Sequence, residues 1–141
     1  MPVEIVVSES PAKEDLKIIY SGLLAFNSNA YGPPENKPLL ILLRDTGTGE
    51  TLGGLHAAWF YNWLYVTMLF VPEALRMLGL GLKLLAAAET YARSQESTGI
   101  WLDTYSFQAP GFYERAGFEA FGELPNFPPG YSRIFYRKLL S

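Results

Sequence analysis

Between Trp63 and Thr104 the chain reads as strand, glycine-bearing loop, helix and strand, and that order narrows the possible folds more than any other feature. Trp63–Val71 is a strand segment. A helix pattern runs from about Gly79 to Gln95, with Leu84, Leu85, Ala88 and Tyr91 as its apolar stripe. Ile100–Thr104 is a short buried strand. Two strands joined through a full helix form a crossover, so they are expected to lie parallel and adjacent in one sheet.

The flanking segments supply antiparallel partners. Val3, Ile5 and Val7 alternate with polar residues and suggest a first strand. Ser10-Pro11 then opens a helix, with Ser10 as its cap, Glu14 and Asp15 in its first turn, and Leu16, Ile19, Tyr20, Leu23 and Leu24 at helical spacing. The Asn, Gly and Pro residues of 27–38 read as a loop or a broken helix. Pro38–Arg44 and Thr51–Phe60 are strands joined by Asp45-Thr46-Gly47-Thr48-Gly49-Glu50, whose glycines suit a tight hairpin turn. Tyr61-Asn62 turns the chain into Trp63–Val71. After the crossover, Gln108–Ala116 is a short helix closed by Gly117, and Phe118–Glu123 and Ser132–Leu139 are the last strands. With 141 residues and no internal linker, the chain is read as one α/β domain over 1–141, a mixed sheet of about seven strands flanked by helices.

Composition removes several function classes. There is no cysteine, hence no disulfide, thiolate metal site or cysteine nucleophile. One histidine leaves no zinc ligand set, and no Gly-x-Ser-x-Gly elbow is present. Eleven basic against fourteen acidic side chains, with no basic block, gives no electrostatic footprint for nucleic acid. No secretory signal or membrane span is visible, so a cytoplasmic location is expected, without a membrane partner.

The loop inside the crossover, Arg76-Met77-Leu78-Gly79-Leu80-Gly81, carries a ligand signal of its own. A helix N-terminus has N–H groups without internal partners and a dipole that favours negative charge, so a glycine-rich approach to it suits a phosphate or pyrophosphate. A turn with close helix–strand contact is the plainer alternative. No Gly-Lys-Ser/Thr follows, and Leu84 stands where a dinucleotide fingerprint needs its third glycine.

A second motif, Asp103-Thr104-Tyr105-Ser106-Phe107-Gln108-Ala109-Pro110-Gly111-Phe112-Tyr113-Glu114-Arg115-Ala116-Gly117-Phe118, follows in register. Together with Arg76–Gly81, it resembles the GNAT superfamily of acyl-CoA-dependent N-acetyltransferases, clearly over 60–139 and only in element order before that. The resemblance implies a mostly antiparallel sheet whose fourth and fifth strands are parallel and splayed. It implies acetyl-CoA as cosubstrate and no metal, with the pyrophosphate on the N–H groups of Met77, Leu78, Gly79, Leu80 and Gly81 beside Arg76. Met77 and Leu78 stand where the family commonly has glycine or a basic residue, leaving the backbone to do most of the binding. Backbone of Leu69, Phe70 and Val71 would face the pantetheine arm, one N–H stabilising an oxyanion.

Tyr113 matches the tyrosine that protonates the leaving thiolate; the alternative is that it packs the helix on the sheet. Ser106 and Gln108 would contact pantetheine or fix the turn. No carboxylate lies mid-strand at Thr67 or Met68, so Asp103, acting through water, is the nearest candidate base; organising the 104–107 turn is its other reading. His56, the one histidine, is read first as structural. Tyr31, Trp59, Tyr61, Tyr105, Phe127 and Tyr131 are candidates for an acceptor pocket or a dimer contact. The implied activity is acetyl transfer to a primary amine of a small molecule, with a homodimer as the expected assembly. An acyl-CoA-binding module without efficient catalysis is the alternative.

Overall fold

The computed structural model describes residues 1–140 and divides into two compact units, Met1–Pro34 and Glu35–Ser141. The first unit is built on helix α1, Lys13–Ala30. Glu14 and Asp15 occupy its first turn as expected, but its N-cap is Ala12, with no side-chain cap. The Ser10 N–H turns instead to Ser8 Oγ at 3.2 Å. Val3–Val7 forms no strand. Alternation alone does not hold a strand, which needs a neighbouring edge for its N–H and C=O groups. The helix runs to Ala30, taking in the start of the segment expected as a loop.

The second unit is a six-stranded sheet with two further helices. Its strands are β1 (Lys37–Arg44), β2 (Thr51–Phe60), β3 (Trp63–Phe70), β4 (Gly99–Tyr105), β5 (Glu119–Pro125) and β6 (Ser132–Leu139). Their order across the sheet is β1-β2-β3-β4-β6-β5. Six strands rather than seven follow from the missing Val3–Val7 strand, so the expected fourth and fifth strands are β3 and β4. They are parallel neighbours, joined through α2 (Leu80–Ser94), and every other pair is antiparallel.

Turn chemistry fixes the registers. Asp45 Oδ1 accepts from the N–H groups of Gly47 and Thr48 at 2.7 and 3.1 Å, closing the β1–β2 hairpin. Tyr61 and Asn62 both take positive φ, 46° and 67°, the geometry a two-residue hairpin requires.

The core lies between the sheet and the face carrying α2 and α3 (Pro110–Arg115). Leu55, Ala57, Leu64, Val66, Ile100 and Leu102 point to this face and meet Leu84, Leu85, Ala88 and Ala92 of α2. Ala92, rather than the expected Tyr91, completes the buried stripe, and Tyr91 packs at its margin. Each fully buried leucine contributes about 1.5–3 kcal/mol. Lys138 of β6 ties both helices down: its Nζ meets Glu89 Oε1 at 2.7 Å and donates to the Ala116 carbonyl at 3.0 Å.

Candidate active site

Strands β3 and β4 are paired only at one end. The ladder runs from Trp63↔Gly99 to Val66↔Leu102 and then stops. Beyond it, Met68–Phe70 still pairs with β2 and Asp103–Tyr105 with β6, but the two strands no longer pair with each other. Thr67 is the cause on the β3 side. His56 of β2 pairs with Met68 and Ala57 with Val66, so Thr67 is an extra residue in the ladder, a β-bulge that bends the strand. On the β4 side, Gln108 Oε1 accepts from Thr104 Oγ1 at 2.7 Å and from the Tyr105 N–H at 2.8 Å. The Ser106 N–H donates to the Ser132 carbonyl at 2.8 Å, and Ser106 Oγ accepts from the Ser132 N–H at 2.9 Å. The two ends are held apart by separate networks.

The gap opens into a cavity of about 780 Å³. Its walls are Val66–Val71 of β3, Leu102–Thr104 of β4, the Leu75–Met77 and Gly79–Leu82 loop and helix start, and Gln108, Phe112, Tyr113 and Arg115 from the α3 side. Of the residues expected to form a site, Leu69, Phe70, Val71, Arg76, Met77, Gly79, Leu80, Gly81, Asp103, Gln108 and Tyr113 meet at this one cavity. Leu78 is an exposed member of the same loop, and Ser106 serves the turn.

The two loop glycines do different work. Gly79 is the N-cap of α2 at φ 74°, with open space where a Cβ would stand, so its role is conformational. A Cβ on Gly81 would come 2.9 Å from Phe112 Cζ, so this glycine admits α3 against the first turn of α2. No side chain caps α2, which leaves its first N–H groups for a ligand. Met77 takes φ 70° and points its side chain wholly into solvent, at 99% exposure, so only its backbone serves the loop. Arg76 donates from Nε to the Val71 carbonyl at 3.0 Å, tying the loop to the end of β3.

Tyr113 packs edge-on against Phe112 and Phe118, with ring centroids 5.1 and 6.1 Å away, and tilts over Tyr136 at 6.0 Å. Burial holds its phenol above the ordinary value, and the nearby Asp103 carboxylate pushes it the same way. The phenol is therefore a proton donor at neutral pH. Asp103 is engaged on both oxygens: Arg133 meets Oδ1 at 2.8 Å and the Tyr65 hydroxyl donates to Oδ2 at 3.0 Å. Arg133 was not visible as a partner from sequence, because only the β4–β6 register brings the two side chains together.

The expected acceptor aromatics divide. Tyr105 and Phe127 join Phe107 and Tyr131 in one cluster beyond Asp103, with successive centroids 5.2–5.8 Å apart. Trp59 donates to Ser97 Oγ at 2.9 Å, and Tyr61 sits in the β2–β3 turn, both at the paired end of β3. Tyr31 belongs to the first unit. A second cavity of about 480 Å³ lies at that paired end, lined by Phe60, Tyr61, Trp63, Trp101, Phe121, Phe135 and Arg137. Its one charged side chain, Arg137, is bonded to Glu119 at 3.0 Å, so it offers no acid–base pair.

The splayed parallel pair, the uncapped helix and the tyrosine coincide with the family resemblance, and the profile of the acetyltransferase (GNAT) family matches residues 11–118. The chain belongs to this family. An acetyltransferase of Agrobacterium fabrum is 37% identical over 96% of this chain and 98% of its own length. The blasticidin-S acetyltransferase of Streptomyces morookaense is 44% identical over 58% of this chain and 61% of its own length. An acetyltransferase structure from Bacillus cereus superposes with a TM-score of 0.84 at 27% identity, covering 96% of this chain and 98% of that one. This GNAT chain is accordingly an acyltransferase, and among its described residues no helix is long and apolar enough to cross a membrane.

Proposed function

We propose that the chain transfers an acetyl group from acetyl-CoA directly to a primary amine of a small molecule. The observation that carries this reading is the gap between β3 and β4, which leaves unpaired backbone between a free helix N-terminus and a protonated tyrosine. The donor's pyrophosphate would lie on the N–H groups of Met77–Gly81, where charge and dipole favour it. Arg76 holds that loop in place through the Val71 carbonyl and adds positive charge. The pantetheine arm would run along the backbone of Leu69, Phe70 and Val71, with Gln108 at its side. A backbone N–H of β3 would stabilise the oxyanion formed on attack, and the Tyr113 phenol would protonate the departing thiolate. Asp103, paired with Arg133 and bonded to Tyr65, fits best as the group that fixes the β4 side of the cleft.

The acceptor would enter past Asp103, Tyr105, Phe107, Phe127 and Tyr131. That surface has aromatic faces and the Asp103–Arg133 pair, with no free cluster of carboxylates among the described residues for a basic protein tail, which favours a compact amine. The relative that acts on blasticidin S supports a small-molecule acceptor. A cytoplasmic location and a homodimer belong to the same reading.

A panel of small amines, blasticidin S among them, incubated with acetyl-CoA and a thiol-detecting dye tests it. Enzyme-dependent thiol release with at least one amine is the expected outcome. Acetyl-CoA binding without release across the panel would favour a binding module instead.

A further inference from the structure

Asp103 is the nearest candidate base by sequence, and it is engaged on both oxygens. We propose that His56 is the general base of the reaction. The inference rests on the acetyl-transfer reading above.

His56 sits on β2 directly opposite the bulge that opens the cavity. Its ring Nδ1 is hydrogen-bonded to Thr67 Oγ1, and the Thr67 hydroxyl in turn reaches the His56 carbonyl at 3.2 Å. A hydroxyl has one proton. With that proton on the carbonyl, the threonine oxygen accepts from Nδ1–H, and this sets the neutral ring as the Nδ1–H tautomer. Nε2 then carries the lone pair. It has no protein partner among the described residues and is not sealed from solvent.

The placement also fits. Leu55 and Ala57 point into the core, so His56 between them points to the opposite face of the sheet. Tyr113 packs against the core on the helix side. The base and the acid therefore lie on opposite faces of the sheet, with β3 alone between His56 and the gap. An amine arriving from the His56 side meets a thioester whose leaving sulfur lies toward Tyr113. The residues across from His56, Leu40 on β1 and Met68 on β3, carry no charge, nor do Gly54 and Ala58 beside it on its own strand. The charged groups on this face include the Tyr65–Asp103–Arg133 cluster, centred two strands over, and Arg44 toward the far end of β1. Helices α2 and α3 pack on the other face.

The step balances as follows. The alkylammonium gives one proton to Nε2, forming imidazolium and a free amine. The amine nitrogen bonds to the thioester carbon, and the carbonyl electron pair moves onto oxygen. Collapse restores the carbonyl and breaks the C–S bond. The thiolate takes the phenol proton of Tyr113, which is replaced by the second proton leaving nitrogen, and the imidazolium releases its proton to solvent.

The test uses the full chain and the fastest amine of the panel. H56Q is expected to lower kcat/KM by about a hundredfold or more and to flatten the acid limb of its pH profile. Its acetyl-CoA affinity by calorimetry should stay within about twofold of wild type, because the ring does not line the donor cavity. T67V, which removes the partner of Nδ1, should slow turnover by a smaller factor and keep the acid limb. Because the chain has a single histidine, its ring ¹⁵N resonances need no assignment, and a bare Nε2 is expected in the neutral ring whether or not the variants fold. An Nε2–H tautomer, or an H56Q enzyme with the wild-type pH profile, overturns the assignment. Loss of acetyl-CoA binding in the wild type would instead overturn the acetyl-transfer reading itself.

Discussion

Strands β3 and β4 contain two regions built from one pair of segments and put to opposite uses. At the Trp63–Val66 end the ladder is closed, alternate side chains are buried, and Tyr65 stacks on Trp101 with centroids 4.0 Å apart. At the Thr67–Phe70 end the ladder is open, Met68 and Phe70 are exposed, and the backbone facing β4 is left without a strand partner. A buried polar backbone group without a partner is costly, so an open seam of this kind is kept where a ligand or water completes it. One inserted residue separates the two regimes. The closed half joins the core and the open half lines the cavity.

Substitutions can break the two halves separately. L64A, which empties a fully buried position in the closed half, is expected to lower unfolding stability by about 2–5 kcal/mol, measured by chemical denaturation. M68A in the open half, at 64% exposure, should change it by no more than about 0.5 kcal/mol. Equal costs at the two positions would erase the distinction.

Y113F should leave the fold intact, since its ring contacts remain, yet lower kcat by about a hundredfold. Because burial and Asp103 raise the phenol, the wild-type rate should fall on the alkaline side only as pH climbs through that raised value. The linkage has the same sign: the folded-state value lies above that of the unfolded chain. The stability contribution of Tyr113 is therefore complete below about pH 10 and is lost as pH rises through the folded value. A Y113F enzyme with the full wild-type rate would remove the acid role.

A smaller effect is expected from R76A. Losing the bond to the Val71 carbonyl and one positive charge should raise the Kd for coenzyme A about tenfold, measured by calorimetry. No change in affinity would leave the helix N-terminus as the sole anchor.

Local patterning made much of the architecture readable. The Asp45–Glu50 turn, the Tyr61-Asn62 turn, the crossover helix and the final strand Ser132–Leu139 all depend on residues near one another in sequence. What failed or stayed hidden depends on distant partners. Val3–Val7 alternates well but finds no edge to pair with. Trp63–Val71 reads as one uniform strand, because the bulge at Thr67 exists only in register with His56. That register also hid the surroundings of His56, whose ring meets Thr67 across the hairpin. The aromatic residues carry no local signal of which end of the sheet they occupy: Trp59 and Tyr61 sit at the closed end, apart from Tyr105 and Phe127. Gly81 read as a phosphate-loop glycine, and the sequence did not show that its missing Cβ also admits Phe112.

The central claim is that the open seam and the uncapped helix start together receive the acyl donor. Amide hydrogen exchange with and without coenzyme A addresses it directly. Slowed exchange confined to 67–71 and 77–82, with 51–60 unchanged, is the predicted result. Unchanged exchange in both segments under saturating coenzyme A, or protection centred on the closed end around Trp63 and Trp101, would contradict it.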